Sequence, residues 1–194
     1  WWTSIRHRLI EKADRLARYA AALSPIASAR AIADELAAAA AHSDALAALF
    51  TTALDGPAAL SAAANQLTAD HPARLTSLAP QIAALEALAA DETADGAISL
   101  LTTIAAMRAD GLGMGWIHFR VNSAQLLNAI RRRIDPENTL DLASGTALNR
   151  LRELLAEVKP LRSNFAALAI ESTTAVRQFL AMAQILHHID GDAP

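Results

Sequence analysis

The run Trp116-Ile117-His118-Phe119-Arg120-Val121 carries the strongest chemical signal in the sequence. Its β-branched and aromatic side chains alternate, and glycines punctuate the approach, as a strand requires. On a strand, Trp116, His118, Arg120 and Asn122 share one face, while Ile117, Phe119 and Val121 share the other. An arginine facing inward from a buried parallel strand is costly unless it meets an anion or a carboxylate. Its five fixed donors suit a phosphate or carboxylate held by two parallel hydrogen bonds. Asn122-Ser123 caps a following helix, so Arg120 falls at the C-terminal end of its strand, where barrel enzymes keep their chemistry. The same spacing fits, equally well, an arginine paired with an acid on a neighbouring strand for structure alone.

The remaining polar candidates are less specific. His118 suits an acid, a base or an anion contact, although a hydrogen-bonded structural histidine is the commoner use. Glu171, followed by Ser172, sits where a second strand meets its helix. It also reads as an ordinary first-turn acid favoured by the helix dipole. His187-His188 ends the last helix, and adjacent helical side chains point about 100° apart, a poor arrangement for a shared metal. Arg131-Arg132-Arg133 lies at a helix C-terminus, where solvated cations complement the dipole without any nucleic acid. Gly111-x-Gly113-x-Gly115 precedes its strand, whereas a dinucleotide fingerprint follows one. The sequence holds no Gly-x-Ser-x-Gly, Walker loop or His-Glu-x-x-His, which removes the enzyme classes those motifs mark.

The elements that must position these residues divide into two regions. Residues 1–110 read as helix after helix. Leu9, Ala13, Leu16, Ala20 and Leu23 recur in steps of four and three. They form one stripe, with Arg6, Arg8, Glu11, Lys12, Arg15 and Arg18 largely off it. Ser24-Pro25 opens a second helix to about Ala41. A third begins at Ser43 and stops at Asp55-Gly56-Pro57, and a fourth runs from Pro57 to about Leu67. Further helices cover about Gln81–Ala90 and, capped by Thr93 or Asp95, the stretch up to Gly111. Residues 111–194 read as strand, helix, helix, strand, helix, with parallel strands at about 116–121 and 164–170. The fold class is therefore mainly α: an Ala/Leu-rich helical region followed by a βαα-βα piece of a parallel α/β barrel. Two strands cannot finish a sheet, so the piece needs completion from outside.

Composition fixes the class of chain. Its 194 residues include 48 alanines and 28 leucines, with 53% hydrophobic and 19% charged residues. That profile excludes a charged disordered chain. A net charge of −3 argues against nucleic acid as a partner, since such binders carry a basic excess. No cysteine is present, which fits a reducing, cytoplasmic setting and removes thiol chemistry. The longest uncharged run, 56–69, has 14 residues, short of the roughly 20 apolar residues that a membrane-spanning helix needs. Trp1-Trp2 at one end and Gly191-Asp192-Ala193-Pro194 directly after a strong helix point to an excerpt of a longer polypeptide.

The segment 111–130, GLGMGWIHFRVNSAQLLNAI, resembles phosphoenolpyruvate carboxylase, above all its divergent bacterial branch. In that family a glycine-rich turn enters a strand ending in an Asp-x-Arg-Gln-Glu-Ser run. The equivalent here is His118-Phe119-Arg120-Val121-Asn122-Ser123, where the arginine and the serine match. Residues 164–190, NFAALAIESTTAVRQFLAMAQILHHID, are similar to the family's next barrel strand and long helix. Residues 1–23 resemble the Arg-rich helix entering its central helical region.

The resemblance implies a parallel α/β barrel with large helical insertions. It implies a Mg2+- or Mn2+-dependent addition of bicarbonate to phosphoenolpyruvate, giving oxaloacetate and phosphate. Arg120 carries over as the catalytic anion-binding residue; His118, Asn122, Glu171 and Ser172 carry over by position as substrate-binding residues. The family's catalytic histidine, in a His-Pro motif, lies upstream, and its metal-binding acids and Gly-Arg-Gly-Gly loop lie downstream. On this expectation the excerpt is inactive alone, binds no metal, and has the rest of its own polypeptide as partner in a homo-oligomer. No membrane partner is expected. Two other readings fit the same residues: a non-enzymatic helical interaction module, and a piece of another phosphate-binding α/β-barrel enzyme.

Overall fold

A computed structural model describes residues 2–50, 56–113, 122–137, 139, 141, 144–157 and 174–191. The molecule is mainly helical, and among the described residues every regular element is a helix. The two expected strands, 116–121 and 164–170, lie outside the described residues. The helices are α1 (Trp2–Leu23), α2 (Arg30–Leu49), α3 (Gly56–Thr68), α4 (Ala79–Asp91), α5 (Ala94–Asp110), α6 (Ser123–Ile134), α7 (Gly145–Glu157) and α8 (Thr174–His188). A 3-10 turn, Ala27–Ala29, joins α1 to α2. The chain forms two compact units, Trp1–His118 with Gln184–Pro194, and Phe119–Ala183.

The first unit is built on a hairpin of α1 and α2. Ile5, Leu9, Lys12, Leu16, Tyr19 and Leu23 are all buried on α1, in alternating steps of four and three. Along α2, Ala33, Leu36, Ala40, Ser43 and Ala47 are buried and follow the same rhythm, with Phe50 next in step. Two such seams facing each other are the packing of a short antiparallel coiled coil. Alanine on one side lets the axes approach closely. The core that results joins Leu16, Tyr19 and Leu23 to Leu36, to Leu85 of α4, and to Leu100, Ile104 and Met107 of α5.

Local chemistry sets the helix ends. Thr93 caps α5 by accepting from the Gly96 N–H at 3.3 Å. Gly111 stops it in a left-handed conformation, φ 60°, with its N–H donating to Met107 O at 3.0 Å. Leu112 then turns inward and is buried, a hydrophobic contact that commonly accompanies such an end. Asn122 caps α6, its Oδ1 accepting from the N–H groups of Ala124 at 2.9 Å and Gln125 at 3.4 Å.

Two sequence expectations need correcting. No helix boundary occurs near Ser43: α2 runs through it, because Ser43 Oγ donates back to Ala39 O at 2.8 Å instead of capping a new start. Pro25 does not open α2; it lies in the turn ahead of the 3-10 segment, and the helix starts at Arg30. In the second unit α6 ends at Asp135, whose Oδ1 accepts from both the N–H and the Oγ1 of Thr139, each at 2.8 Å.

The seam predicts a contrast between two leucines. Leu16→Ala removes a fully buried side chain and lowers stability by about 2–5 kcal/mol. Leu101→Ala, on the exposed side of α5, changes it by less than about 0.5 kcal/mol. Urea unfolding followed by circular dichroism measures both.

Candidate functional site

Of the five residues singled out from the sequence, only Asn122 lies among the described residues. It is exposed and committed to capping α6. Arg120, His118, Glu171 and Ser172 lie outside them. The densest polar chemistry in the described structure is elsewhere, in the first unit, along α1. Arg8, Lys12, Arg15 and Tyr19 recur in steps of four, three and four, so they line one stripe of that helix.

Each member of the stripe ties down a later part of the chain. Arg8, 4% exposed, forms an ion pair through Nη2 with Asp190 Oδ2 at 2.7 Å, and Asp190 is itself 3% exposed. Glu11 Oε2 lies 3.5 Å from Arg8 Nη1. Lys12 Nζ donates to two backbone carbonyls, Ile189 O at 2.7 Å and Leu75 O. Arg15 Nη1 meets Asp110 Oδ2 at 2.5 Å, and Tyr19 Oη donates to Gly111 O at 2.9 Å. Gly113 packs directly on the Arg8 guanidinium: a Cβ built there would stand 2.5 Å from Arg8 Cζ. The Gly191 N–H, donating to Thr76 O at 2.7 Å, closes the chain end onto the same region.

The burial of Arg8 and Lys12 overturns the expectation that both lie off the apolar stripe. Lys12 occupies a seam position, and a lone lysine there fixes helix register at a cost in stability. The signal was present in the spacing: the steps 5, 9, 12, 16, 19, 23 run straight through Lys12. Charge made it look external, yet a lysine can be buried when carbonyls and a carboxylate receive it.

The surroundings shift several titrations. Burial pulls the Lys12 amine down to about 8, with Arg74 acting in the same direction and Asp190 opposing. Burial, with Asp110 adding to it, pushes the Tyr19 hydroxyl up to about 12. His188 falls to about 4, through burial first and then His187 and Arg74. His42 is lowered too, by burial and by its neighbours His71, Lys12 and Arg74. The rings of His42 and His71 stack face to face, centroids 3.9 Å apart and 4° from parallel. Those of His187 and His188 meet edge to face.

This arrangement holds residues 75, 110–111 and 189–190 against α1. The Lys12 amine is spent on carbonyls, and Arg8 is covered by Asp190 and Gly113. Among the described residues no group of three histidine or acidic side chains converges as a metal site. No described helix is long and apolar enough to cross a membrane. Compared with protein-family models, with curated proteins and with solved structures, the chain matches none.

Two measurements test the stripe. Asp190→Asn leaves the Arg8 charge buried without its carboxylate and costs about 3–5 kcal/mol. Adding Arg8→Met recovers part of that loss, so a double-mutant cycle by urea unfolding gives a clear coupling between the two sites. Lys12 generates a pH signature. Its folded-state value, near 8, lies below the unfolded value of 10.5, so the unfolded chain holds more protons between them. Stability therefore rises with pH from about 8 towards 10. Above 10 the raised Tyr19 reverses the trend, because a hydroxyl that holds its proton longer when folded loses that advantage as pH climbs. Lys12→Met abolishes the rise and leaves the fall.

Proposed function

We propose that the chain is a segment of a phosphoenolpyruvate carboxylase-type enzyme, in which residues 2–113 and 184–191 supply a helical scaffold and Arg120 supplies an anion-binding group. The observation that carries this reading is the run from Gly111 to Ser123, with Arg120 two residues ahead of Asn122. Asn122 does cap a helix by its side chain, as the reading requires of the residue following the strand. The N–H groups at the start of α6 and a guanidinium just upstream both favour negative charge. The α1 stripe adds support of a different kind. It anchors Asp110, Gly111 and Gly113, so the turn leading towards Arg120 starts from a fixed point.

In the reaction, bicarbonate and phosphoenolpyruvate give oxaloacetate and inorganic phosphate, so negative charge moves from a phosphate ester onto an enolate oxygen. Arg120 stabilises that charge by donors held in place before it develops. The resemblance assigns His118, Asn122, Glu171 and Ser172, by their position in the sequence, to substrate contacts. A divalent cation would supply further charge neutralisation in the complete enzyme.

A second reading keeps one observation in its favour. Ile98 and Leu101, three residues apart on α5, are 63% and 54% exposed, as a helical module that binds a partner helix would show.

The assay is oxaloacetate formation from phosphoenolpyruvate and bicarbonate by the complete polypeptide. Arg120→Ala lowers turnover about 10²–10³-fold with helix content unchanged, and Arg120→Lys restores part of it. A wild-type protein with no phosphoenolpyruvate-dependent turnover sinks the carboxylase reading and leaves the interaction module. Near-normal turnover by Arg120→Ala removes that residue from the site.

A further inference from the structure

The first unit gathers basic and titratable groups where α1, α2, residues 69–78 and the end of α8 meet. Lys12 comes from α1 and His42 from α2. Residues 69–78 bring His71 and Arg74, and the end of α8 brings His187 and His188. Two acids stand in this neighbourhood: Asp190 pairs with Arg8 through Oδ2 at 2.7 Å, and Asp70 with Arg74 at 3.0 Å. Arg74 also donates to Thr68 O and Ala69 O, at 3.3 and 3.1 Å, so its charge is held in place.

Three features here favour neutral imidazoles. His42 and His71 stack in parallel at 3.9 Å, an arrangement that two cations would repel. His71 Nδ1 accepts a hydrogen bond from the Ala73 N–H at 3.1 Å, and protonation removes that acceptor. His188 Nδ1 is buried with no hydrogen-bond partner among the described residues, so a proton placed there would be unsatisfied. The titratable and charged groups beside it are Arg74 and His187; those beside His42 are His71, Lys12 and Arg74.

We propose that residues 69–78 and 184–191 form a histidine-gated clasp on α1 and α2. It stays shut while His42 and His188 are neutral, and it opens as they take protons beside Arg74 and Lys12. The bonds that part are Gly191 N–H to Thr76 O and Lys12 Nζ to Leu75 O and Ile189 O. His42 and His188 hold protons less readily in the closed form than in the open one. The open form therefore gains protons first, and the clasp weakens as pH falls below about 6.5. This device is independent of the carboxylase reading.

Amide hydrogen exchange on the full chain tests it, with rates corrected for the intrinsic effect of pH. Between pH 7.5 and 5 the Gly191 and Arg74 amides exchange about tenfold faster or more, since each pKa unit of difference is a factor of ten in the opening equilibrium. Amides inside α5, such as Ile104, hold their protection and serve as reference. The double variant His42→Gln, His188→Gln keeps the Gly191 amide protected at pH 5. A wild-type clasp still shut at pH 5, or a variant that opens as the wild type does, overturns the proposal. If the variant does not fold, NMR titration of the wild-type imidazoles decides. His42 and His188 titrating below 6.5 in step with Gly191 exchange supports the clasp; titration at or above 6.5 with the Gly191 amide still protected overturns it.

Discussion

The first unit depends on a buried stripe of donors along α1. Arg8, Lys12, Arg15 and Tyr19 reach the chain at Asp190, at Ile189 and Leu75, at Asp110 and at Gly111 respectively. Apolar packing brings these segments together but is indifferent to small slips, since alanine against alanine fits in several registers. The donors are not indifferent. A buried charge left unmet costs several kcal/mol, so one register satisfies all four groups and its neighbours satisfy fewer. In a chain this rich in alanine, such polar contacts supply the specificity that large side chains supply elsewhere.

The same stripe explains why the first unit is discontinuous in sequence. Residues 184–191 belong with residues 1–118 because Asp190 neutralises Arg8 and the Ile189 carbonyl receives Lys12. Ile185 and Ile189, both buried, add apolar area at the contact. Long-range closure of this kind is slow to form, as its loop entropy must be met before its contacts reward it. The Arg8–Asp190 pair spans 182 positions, so closing it carries one of the larger loop entropies in the molecule.

Much of the helical region was legible in the sequence, and for identifiable reasons. Thr93, Gly111 and Asn122 acted where their side chains or backbone freedom demanded, and the helices they bound were placed within a residue or two. Ser43 misled because serine serves both as a cap and as a back-bonded interior residue, and only the surrounding helix decides between them. Arg8 and Lys12 misled through a rule about charge: both were set outside the stripe, although the apolar spacing runs through Lys12, and Arg8 is buried next to that seam by its pairing with Asp190. The residues receiving them lie between 63 and 182 positions away, and no local window contains that information. Of the candidate site, only the capping role of Asn122 can be compared with the fold, and there the sequence and the structure agree.

Gly113 touches the Arg8 guanidinium with no side chain between them. A carbon added at 113 has to push the far end of the Arg8 side chain aside, and with it the guanidinium that meets Asp190. Three positions far apart in the sequence thus share one small volume, and the space that a single methyl group would fill is part of how the ion pair is held.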